Sequence, residues 1–335
     1  MSFSRPERPL VSLVVPMHNE EAGLDLLFGR IGAVMAGIAA DWEVVCVNDG
    51  SRDGTLSALI TRAATDSHIK IVNLSRNFGK EAALTAGLDH AGGDAIVPLD
   101  ADLQDPPELI VQFVEEWRKG ADVVYGVRRR RDEDSFVKRG TANIFYKLFN
   151  MFVDTRLPAN TGDFRLMDRR VVDALSEFHE RSRFMKGLFS WVGFNQVPVY
   201  YDRPARAAGT TSFNYWRLWN FAIDGITGFS TVPLRIWSYV GLCVSLIAFI
   251  YGLYLLYLSM VHGIHMPGYA SIMVSVLFLG GVQLVSLGVI GEYLGRLYHE
   301  AKGRPLYIVA SRHGLSSPTG NGGARGNIGE VRNGG

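Results

Sequence analysis

The chain has 335 residues, and its 34 Lys and Arg side chains nearly balance its 33 Asp and Glu side chains. A formal net charge of +1 argues against a strongly basic nucleic-acid-binding protein and against an acidic disordered protein. Charged residues make up 20% of the sequence but are almost missing from residues 236–291. We therefore predict a water-soluble unit followed by a membrane unit, with no nucleic acid as partner.

Short apolar segments alternate with helix-length segments through the first 125 residues. The predicted strands are Val11–Val15, Glu43–Val47, Ile69–Leu74, Ala95–Leu99 and Val123–Tyr125. Glu20–Ala36 and Gly79–His90 are long enough to form helices between them. This alternation predicts an α/β domain with a mostly parallel sheet covered on both faces. Such sheets bind ligands beyond the carboxyl ends of their strands, so polar residues there are the candidate site.

Oxygen-rich side chains follow three of these strands. They lie in residues 16–20, 48–55 and 100–108. Local structure explains some of them, since Asp105 before a proline suits the cap of a helix. Asp100 and Asp102 resist that explanation, because two carboxylates one residue apart repel each other unless a cation lies between them. With the amide of Gln104, these oxygens favour Mg²⁺ or Mn²⁺ that also binds a diphosphate.

Several motifs, in a fixed order, resemble those of a known family. They are V-V-P-M-H-N-E-E, V-N-D-G-S-R-D-G-T, N-F-G-K-E-A-A-L-T-A-G-L, D-A-D-L-Q-D-P-P-E, G-D-F-R-L-M, R-x-x-G-T-T-S and G-E-Y-L-G-R-L-Y. The set resembles glycosyltransferase family 2 over roughly residues 10–308. More narrowly, it is similar to the bacterial polyprenyl-phosphate (undecaprenyl-phosphate) glycosyltransferases, which are related to dolichol-phosphate mannose synthase.

The resemblance implies a GT-A (Rossmann-like) catalytic domain and a metal-dependent, inverting hexosyl transfer. The donor would be a UDP- or GDP-linked sugar such as UDP-glucose, and the acceptor the phosphate of a polyprenyl phosphate. The product would be a polyprenyl-phosphate-linked monosaccharide for cell-envelope glycosylation. The motifs leave the sugar and the nucleotide open.

The resemblance also assigns the donor site by position. Pro16, His18 and Glu20 would line the nucleotide pocket, and Asp49 would accept a hydrogen bond from the base ring. Asp100 would face the ribose and the sugar. The metal on the diphosphate would be held by residues of the same acidic motif, Asp102 with Gln104 and the adjacent Asp100. Many relatives have Tyr in place of His18 and Asp in place of Asn48, which leaves the base less certain.

The predicted catalytic residues are Asp100, Asp102 and Asp163, and Lys80 is predicted to bind the nucleotide sugar. Lys80 follows Gly79 at a helix start, where its ammonium and nearby backbone N–H groups would stabilise the leaving anion; a solvated lysine is the alternative. A lipid phosphate has a second pKa near ~6 and attacks without losing a proton, whereas a hydroxyl would need a base. We therefore predict that Asp163 orients the acceptor or the metal's ligands more than it removes a proton.

An anionic acceptor approaching an anionic donor needs cations. Arginines that follow the fifth strand hold the acceptor phosphate in relatives, and we favour Arg128 and Arg139 here. The acidic residues 132–134 leave a neutralised, solvated loop as the alternative. Arg206 and Ser212, just before an aromatic-rich segment, are predicted to bind either phosphate.

Two long segments, Ile236–Val261 and Gly268–Gly291, contain no charged side chain. At ~1.5 Å per residue they reach about 39 and 36 Å, enough to cross a hydrocarbon layer of ~30 Å. Arg235 precedes them and Arg296 follows them, while the connecting loop has no Lys or Arg. The positive-inside rule thus predicts a two-helix hairpin in the cytoplasmic membrane, with both termini and the catalytic domain in the cytoplasm. Two buried core helices are the alternative.

These patterns divide the chain into six segments. We predict a cytoplasmic catalytic domain (1–212), interfacial amphipathic helices (213–235), two transmembrane helices (236–261 and 268–291), a cytoplasmic segment (292–313) and a disordered tail (314–335). An ordinary core helix is the alternative for 213–235. Gly291 and Gly295 form a small-xxx-small pair that favours a homo-oligomer.

Two other functions fit the sequence less well. A processive polysaccharide synthase would carry a Q-x-x-R-W motif and usually more membrane segments, and the sequence has neither. A catalytically silent membrane scaffold would not need Asp100 and Asp102, and the two spans offer only Gln283 as a strongly polar side chain.

Overall fold

The computed structural model describes residues 5–128, 161–178, 180, 185–201, 232–262 and 268–315. The strands are β1 (Leu10–Met17), β2 (Asp41–Asn48), β3 (Ile69–Leu74), β4 (Ala95–Pro98), β5 (Val123–Arg128), β6 (Thr161–Asp168), β7 (Gln196–Tyr201) and β8 (Val309–His313). The helices are α1 (Leu24–Met35), α2 (Thr55–Ala63), α3 (Lys80–His90), α4 (Leu109–Arg118), α5 (Arg169–Ser176), α6 (Met185–Trp191), α7 (Val232–His262) and α8 (Tyr269–Ala301).

The eight strands form one sheet in the order β7-β5-β6-β4-β1-β2-β3-β8. The five predicted strands are present, and β3 has the predicted bounds. The prediction of a mostly parallel sheet holds for six of the eight strands, while β6 runs antiparallel to both β4 and β5, and β8 antiparallel to β3. The sheet is therefore mixed, and the sequence patterns did not identify β6, β7 or β8.

Helices cover both faces of the sheet, as predicted. Alternate residues of β1 point to opposite faces, so Leu13 and Val15 join one apolar core while Val14 joins the other. The first core includes buried residues of α1, α2 and α4, and the second those of α3, α5 and α6. Two packed layers of helix thus hold the central strands rigid and fix the positions of their ends.

The C-terminal part contains the two long helices α7 and α8, and each extends beyond the apolar segment predicted for it. By length and composition, Phe278–Gly295 of α8 is apolar enough to cross a membrane. The helix continues to Ala301, and the chain then returns to the sheet as β8. Most of the predicted interfacial segment, 213–231, and the tail from residue 316 lie outside the described residues.

Candidate active site

One edge of the sheet brings most of the predicted site residues together. The parallel strands β1, β2 and β4 end there, and α3 begins there. Because β6 runs in the opposite direction, its first residues lie at this same edge, so Asp163 lies near Asp100, which follows β4. A pocket between them is lined by Pro16, Lys80, Asp100, Asp163 and hydrophobic side chains.

Lys80 links the two carboxylates of this pocket. Its Nζ atom donates to Asp100 Oδ2 at 2.9 Å and lies 2.7 Å from Asp100 Oδ1 and 3.4 Å from Asp163 Oδ2. Burial would lower the pKa of Lys80, but Asp100 and Asp163 outweigh that effect and raise it. The half-exposed lysine is thus held as an ammonium by two carboxylates of the site.

Asp100 and Asp163 have properties beyond their pairing with Lys80: one has a raised pKa, and the other has an oxygen left unpaired by the residues that the structure describes. Burial raises the pKa of Asp100, and the charges of Asp163 and Asp102 add to the rise, while Lys80 opposes it. The Oδ1 atom of Asp163 is buried and has no hydrogen-bond partner among the residues that the structure describes. An unpaired buried carboxylate oxygen is costly, so Asp163 Oδ1 is an acceptor suited to a substrate group or a metal-bound water.

Two backbone N–H groups just before α3 are already occupied. Gly79 adopts φ 95°, and the N–H groups of Phe78 and Gly79 donate to Asp49 at 2.6 and 2.9 Å. These two groups are therefore not available to an anion, and the anion stabilisation by Lys80 and the backbone at this helix start stays a prediction. Gly87 lets α3 lie against β1 and β2, since a Cβ there would overlap Val14.

The predicted nucleotide residues lie on two loops that contact each other. His18 Nδ1 lies 2.8 Å from the Asp49 carbonyl, and the N–H of Glu20 donates to the Thr55 hydroxyl at 2.9 Å. His18 is exposed, whereas Asp49 is only 4% exposed with both carboxylate oxygens already accepting backbone N–H groups. The contact between Asp49 and a base ring therefore stays a prediction, and its observed partner is the loop before α3.

The acidic loop after β4 contains an unusual backbone conformation. Leu103 has φ 54°, a region that disfavours residues other than glycine, asparagine and aspartate. Asp102 is exposed, and its Oδ1 accepts the N–H of Gln104 at 3.1 Å. The hydrogen bond from Gln104 orients the exposed Asp102 carboxylate within this loop.

Asp105 does not cap a helix. The helix α4 begins at Leu109, and Glu108 occupies its N-cap position. Asp105 is 5% exposed and accepts a 2.6 Å hydrogen bond from the hydroxyl of Tyr201, the last residue of β7. This contact ties the acidic loop to the edge strand from which the chain leaves the sheet.

The site carries an excess of negative charge that fits a divalent cation. Burial raises the pKa of Glu20, and the nearby charges of Asp102, Asp53 and Asp100 raise it further. Within the described residues, no three His, Cys, Asp or Glu side chains are grouped so that they could hold a metal ion by themselves. Mg²⁺ at a nucleotide site takes only one or two carboxylates and completes its shell with phosphate and water, so the two observations agree.

Arg165 is a site residue that the sequence patterns did not identify. It is 4% exposed, its guanidinium donates to the Gly162 carbonyl at 2.9 Å, and it lies 4.0 Å from the centre of the Phe189 ring. Burial lowers the pKa of Arg165 to about 10. The arginine fixes the backbone beside Asp163, and its position in the motif was the only signal available.

The structure describes one of the four residues predicted to bind the acceptor phosphate. Arg128 is the last residue of β5 and therefore lies at the same edge of the sheet as Asp100 and Asp163. Arg139, Arg206 and Ser212 lie outside the described residues. Their roles stay predictions.

Comparison with known proteins identifies the family. Residues 12–176 match the Glycosyl transferase family 2 model, and residues 232–297 match the GtrB C-terminal hairpin. An uncharacterized glycosyltransferase of Synechocystis sp. is 54% identical over 305 residues, covering 91% of this chain and 96% of the relative. The chain is a family 2 glycosyltransferase.

Two further proteins resemble this glycosyltransferase. The SfII prophage-derived bactoprenol glucosyl transferase of Shigella flexneri is 48% identical over 303 residues, covering 90% of this chain and 98% of the relative. Among solved structures, the mannosyltransferase PcManGT from Pyrobaculum calidifontis, in complex with GDP-Man and Mn²⁺, aligns with TM-score 0.42 and 21% identity. That alignment covers 64% of this chain and 61% of the other.

Proposed function

We propose that this glycosyltransferase transfers glucose from a nucleotide-linked donor to the phosphate of a polyprenyl phosphate. The observation that carries the proposal is the 48% identity to a bactoprenol glucosyl transferase over 90% of the chain, which includes the C-terminal helices. The Lys80–Asp100–Asp163 cluster supplies a reaction centre of suitable chemistry.

In this proposal a lipid phosphate oxygen attacks the anomeric carbon as the bond from that carbon to the nucleotide diphosphate oxygen breaks. One displacement inverts the configuration. The acceptor is largely dianionic at pH 7, with a second pKa near ~6, so no side chain has to remove a proton. Asp163 then orients the acceptor, and Lys80 places a positive charge where the diphosphate charge grows.

We also propose that Asp102, with Gln104, holds a divalent cation, Mg²⁺ or Mn²⁺, on the donor diphosphate. When bound, the ion neutralises charge on the leaving diphosphate. Asp100, which contacts Lys80 at 2.7 Å, would face the sugar and the adjacent metal ion.

The membrane part of the proposal rests on how the chain enters and leaves the sheet. The strand β7 ends at the carboxyl edge of the sheet, where Asp100 lies. The strand β8 begins at the same edge because Val309 pairs with Leu74 at the end of β3. Both connections to α7 and α8 therefore start at the edge of the sheet that carries Lys80 and Asp100. We propose that α7 and α8 are the membrane hairpin, with residues 213–231 at the interface and the catalytic domain in the cytoplasm. This arrangement suits an acceptor that stays in the bilayer.

The test is transfer of labelled glucose by the purified full-length protein. UDP-glucose, GDP-mannose and UDP-galactose are each supplied with polyprenyl phosphate, and the lipid extract is counted before and after mild acid. We expect acid-labile label from UDP-glucose, at least tenfold less from Asp102→Asn, and unchanged transfer by Asp173→Asn, an exposed helix variant. Label in a polymer would instead support a processive synthase, and no label with any donor would support a silent scaffold.

A further inference from the structure

The C-terminal strand is joined to the nucleotide loops by a chain of side-chain hydrogen bonds. Asn73 Nδ2 donates to Ser311 Oγ of β8 at 3.3 Å, and Asn48 Nδ2 donates to Asn73 Oδ1 at 2.8 Å. Asn48 Oδ1 in turn accepts the N–H of Ser51 at 3.4 Å. The chain therefore runs from β8 across β3 and β2 to the turn that follows β2.

The Ser51 turn also supports the loop that carries His18 and Glu20. The N–H of Asn19 donates to Ser51 Oγ at 3.0 Å, and Asn19 Oδ1 accepts the N–H of Arg52 at 2.8 Å. Asn19 adopts φ 58°, a conformation that asparagine tolerates and that these two contacts hold. A shift of the Ser51 turn would therefore move the predicted nucleotide residues.

The direction of each hydrogen bond is fixed by the backbone. The Ser51 N–H can only donate, so Asn48 must present its oxygen to that group and its NH₂ to Asn73. Asn73 must then present its oxygen to Asn48 and its NH₂ to Ser311. An aspartate at position 48 would have no proton to donate, so the amide of this chain is what builds the link.

The strand β8 is held firmly enough to act as a support. Its residues pair with β3 from Val309 to His313, and the N–H of Ser75 donates to the Ile308 carbonyl at 2.9 Å. The hydroxyl of Tyr307 donates to Asp89 of α3 at 2.7 Å. Asn48 is only 2% exposed, so its NH₂ group lies inside the fold, where Asn73 accepts its hydrogen bond.

We propose that Asn73 and Ser311 are positioning residues for the nucleotide half of the donor site, acting through Asn48. The C-terminal strand, which follows α8, thereby becomes part of the support of the nucleotide pocket. This inference rests on the proposed function, since it assumes that the loops at His18 and Asp49 hold the donor nucleotide.

The experiment measures UDP binding by calorimetry, the KM values for UDP-glucose and polyprenyl phosphate, kcat, and the Tm of the full-length protein. Removing a buried hydrogen-bond partner should weaken UDP binding about tenfold in Asn73→Ala and about threefold in Ser311→Ala. The donor KM should rise by similar factors, while kcat and the acceptor KM stay within about twofold. Asn48→Ala combined with Asn73→Ala should weaken binding no more than the larger single effect.

Conservative variants separate positioning from a general loss of structure. Asn73→Asp keeps an acceptor for Asn48 and for the Ser311 hydroxyl, and Ser311→Thr keeps the hydroxyl, so both should bind UDP within about twofold of the unmodified protein. Arg312→Gln, an exposed change on the same strand, is the matched control.

Two results would overturn the inference. One is UDP binding by Asn73→Ala within twofold of normal, and the other is an equal rise in both KM values with a lower Tm, which indicates a structural role alone. If the unmodified protein binds neither UDP nor GDP, the proposed function falls as well. If the unmodified protein binds the nucleotide normally and the variants have no effect, only this inference falls.

Discussion

Replacing Lys80 by methionine should lower the rate of sugar transfer about 30-fold. Two unit charges about 4 Å apart interact by about 4 kcal/mol at an effective dielectric constant of 20. The Lys80 side chain is 49% exposed, so solvent screening reduces its interaction with the charge that grows on the leaving diphosphate to about 2 kcal/mol. Loss of about 2 kcal/mol of transition-state stabilisation corresponds to roughly a 30-fold loss in kcat/KM.

The same substitution should move the acidic limb of the pH–rate profile to higher pH. Burial raises the pKa of Asp100, Asp163 and Asp102 raise it further, and Lys80 is the group that lowers it. Without the ammonium, the Asp100 pKa rises, so a larger fraction of Asp100 is protonated and inactive at any given acidic pH. A limb set by the acceptor phosphate, with its second pKa near ~6, stays in place, whereas the limb that reports Asp100 ionisation must appear at higher pH in Lys80→Met.

The assay is the initial rate of labelled glucose transfer from UDP-glucose to polyprenyl phosphate, measured from about pH 5 to about pH 8 at constant ionic strength. Lys80→Arg keeps a cation and should retain the position of the limb. Lys119→Met, at the exposed end of α4, is the matched control. A Lys80→Met enzyme that loses less than about threefold in kcat/KM and keeps the limb in place would refute this reasoning.

Three further predictions concern the acceptor, the metal and stability. Asp163→Asn should lower the rate at least tenfold and keep an acidic limb in the pH–rate profile, because an orienting residue transfers no proton; loss of the acidic limb would contradict this. Chelation of divalent ions should stop lipid glucosylation, and added Mg²⁺ or Mn²⁺ should restore it; full activity after chelation would contradict the proposed role of Asp102. Burial would raise the pKa of Asp168, but hydrogen bonds from Trp117 at 2.8 Å and from Arg170 hold it below its usual value. Its stabilisation is therefore present above about pH 4 and lost as the pH falls through the lowered pKa. Asp168→Asn should cost about 2 kcal/mol at pH 7 and little in acid, as thermal melts at both pH values will show.

The central strands could be predicted from the sequence because their apolar segments are continuous and separated by helix-length intervals. The strand β6 was not predicted, since its sequence T-G-D-F-R-L-M-D mixes charged and apolar residues. Its charges are accommodated inside the fold, where Arg165 binds backbone carbonyls and Asp168 binds Trp117. Such pairing depends on residues distant in sequence, so no local pattern reports it.

The candidate site, like the fold, was predicted from the sequence only in part. Strand ends rich in oxygen atoms predicted that residues 16–20, 48–55 and 100–108 belong to one edge, and the structure brings them together. The sequence did not predict that Asp49 takes the N–H groups before α3, or that Asp105 accepts from Tyr201. Both contacts join segments far apart in the chain, and a turn or cap assignment considers only near neighbours.

β7 and β8 are the two outer strands of the sheet, and they are also the points where the chain leaves the sheet before α7 and rejoins it after α8. β7 runs parallel to β5 and ends at the carboxyl edge, and β8 runs antiparallel to β3 and begins at the same edge. That edge also carries Lys80 and Asp100. If α7 and α8 are the membrane hairpin, as proposed, the chain therefore passes to the membrane and back from the edge of the sheet that carries Lys80 and Asp100.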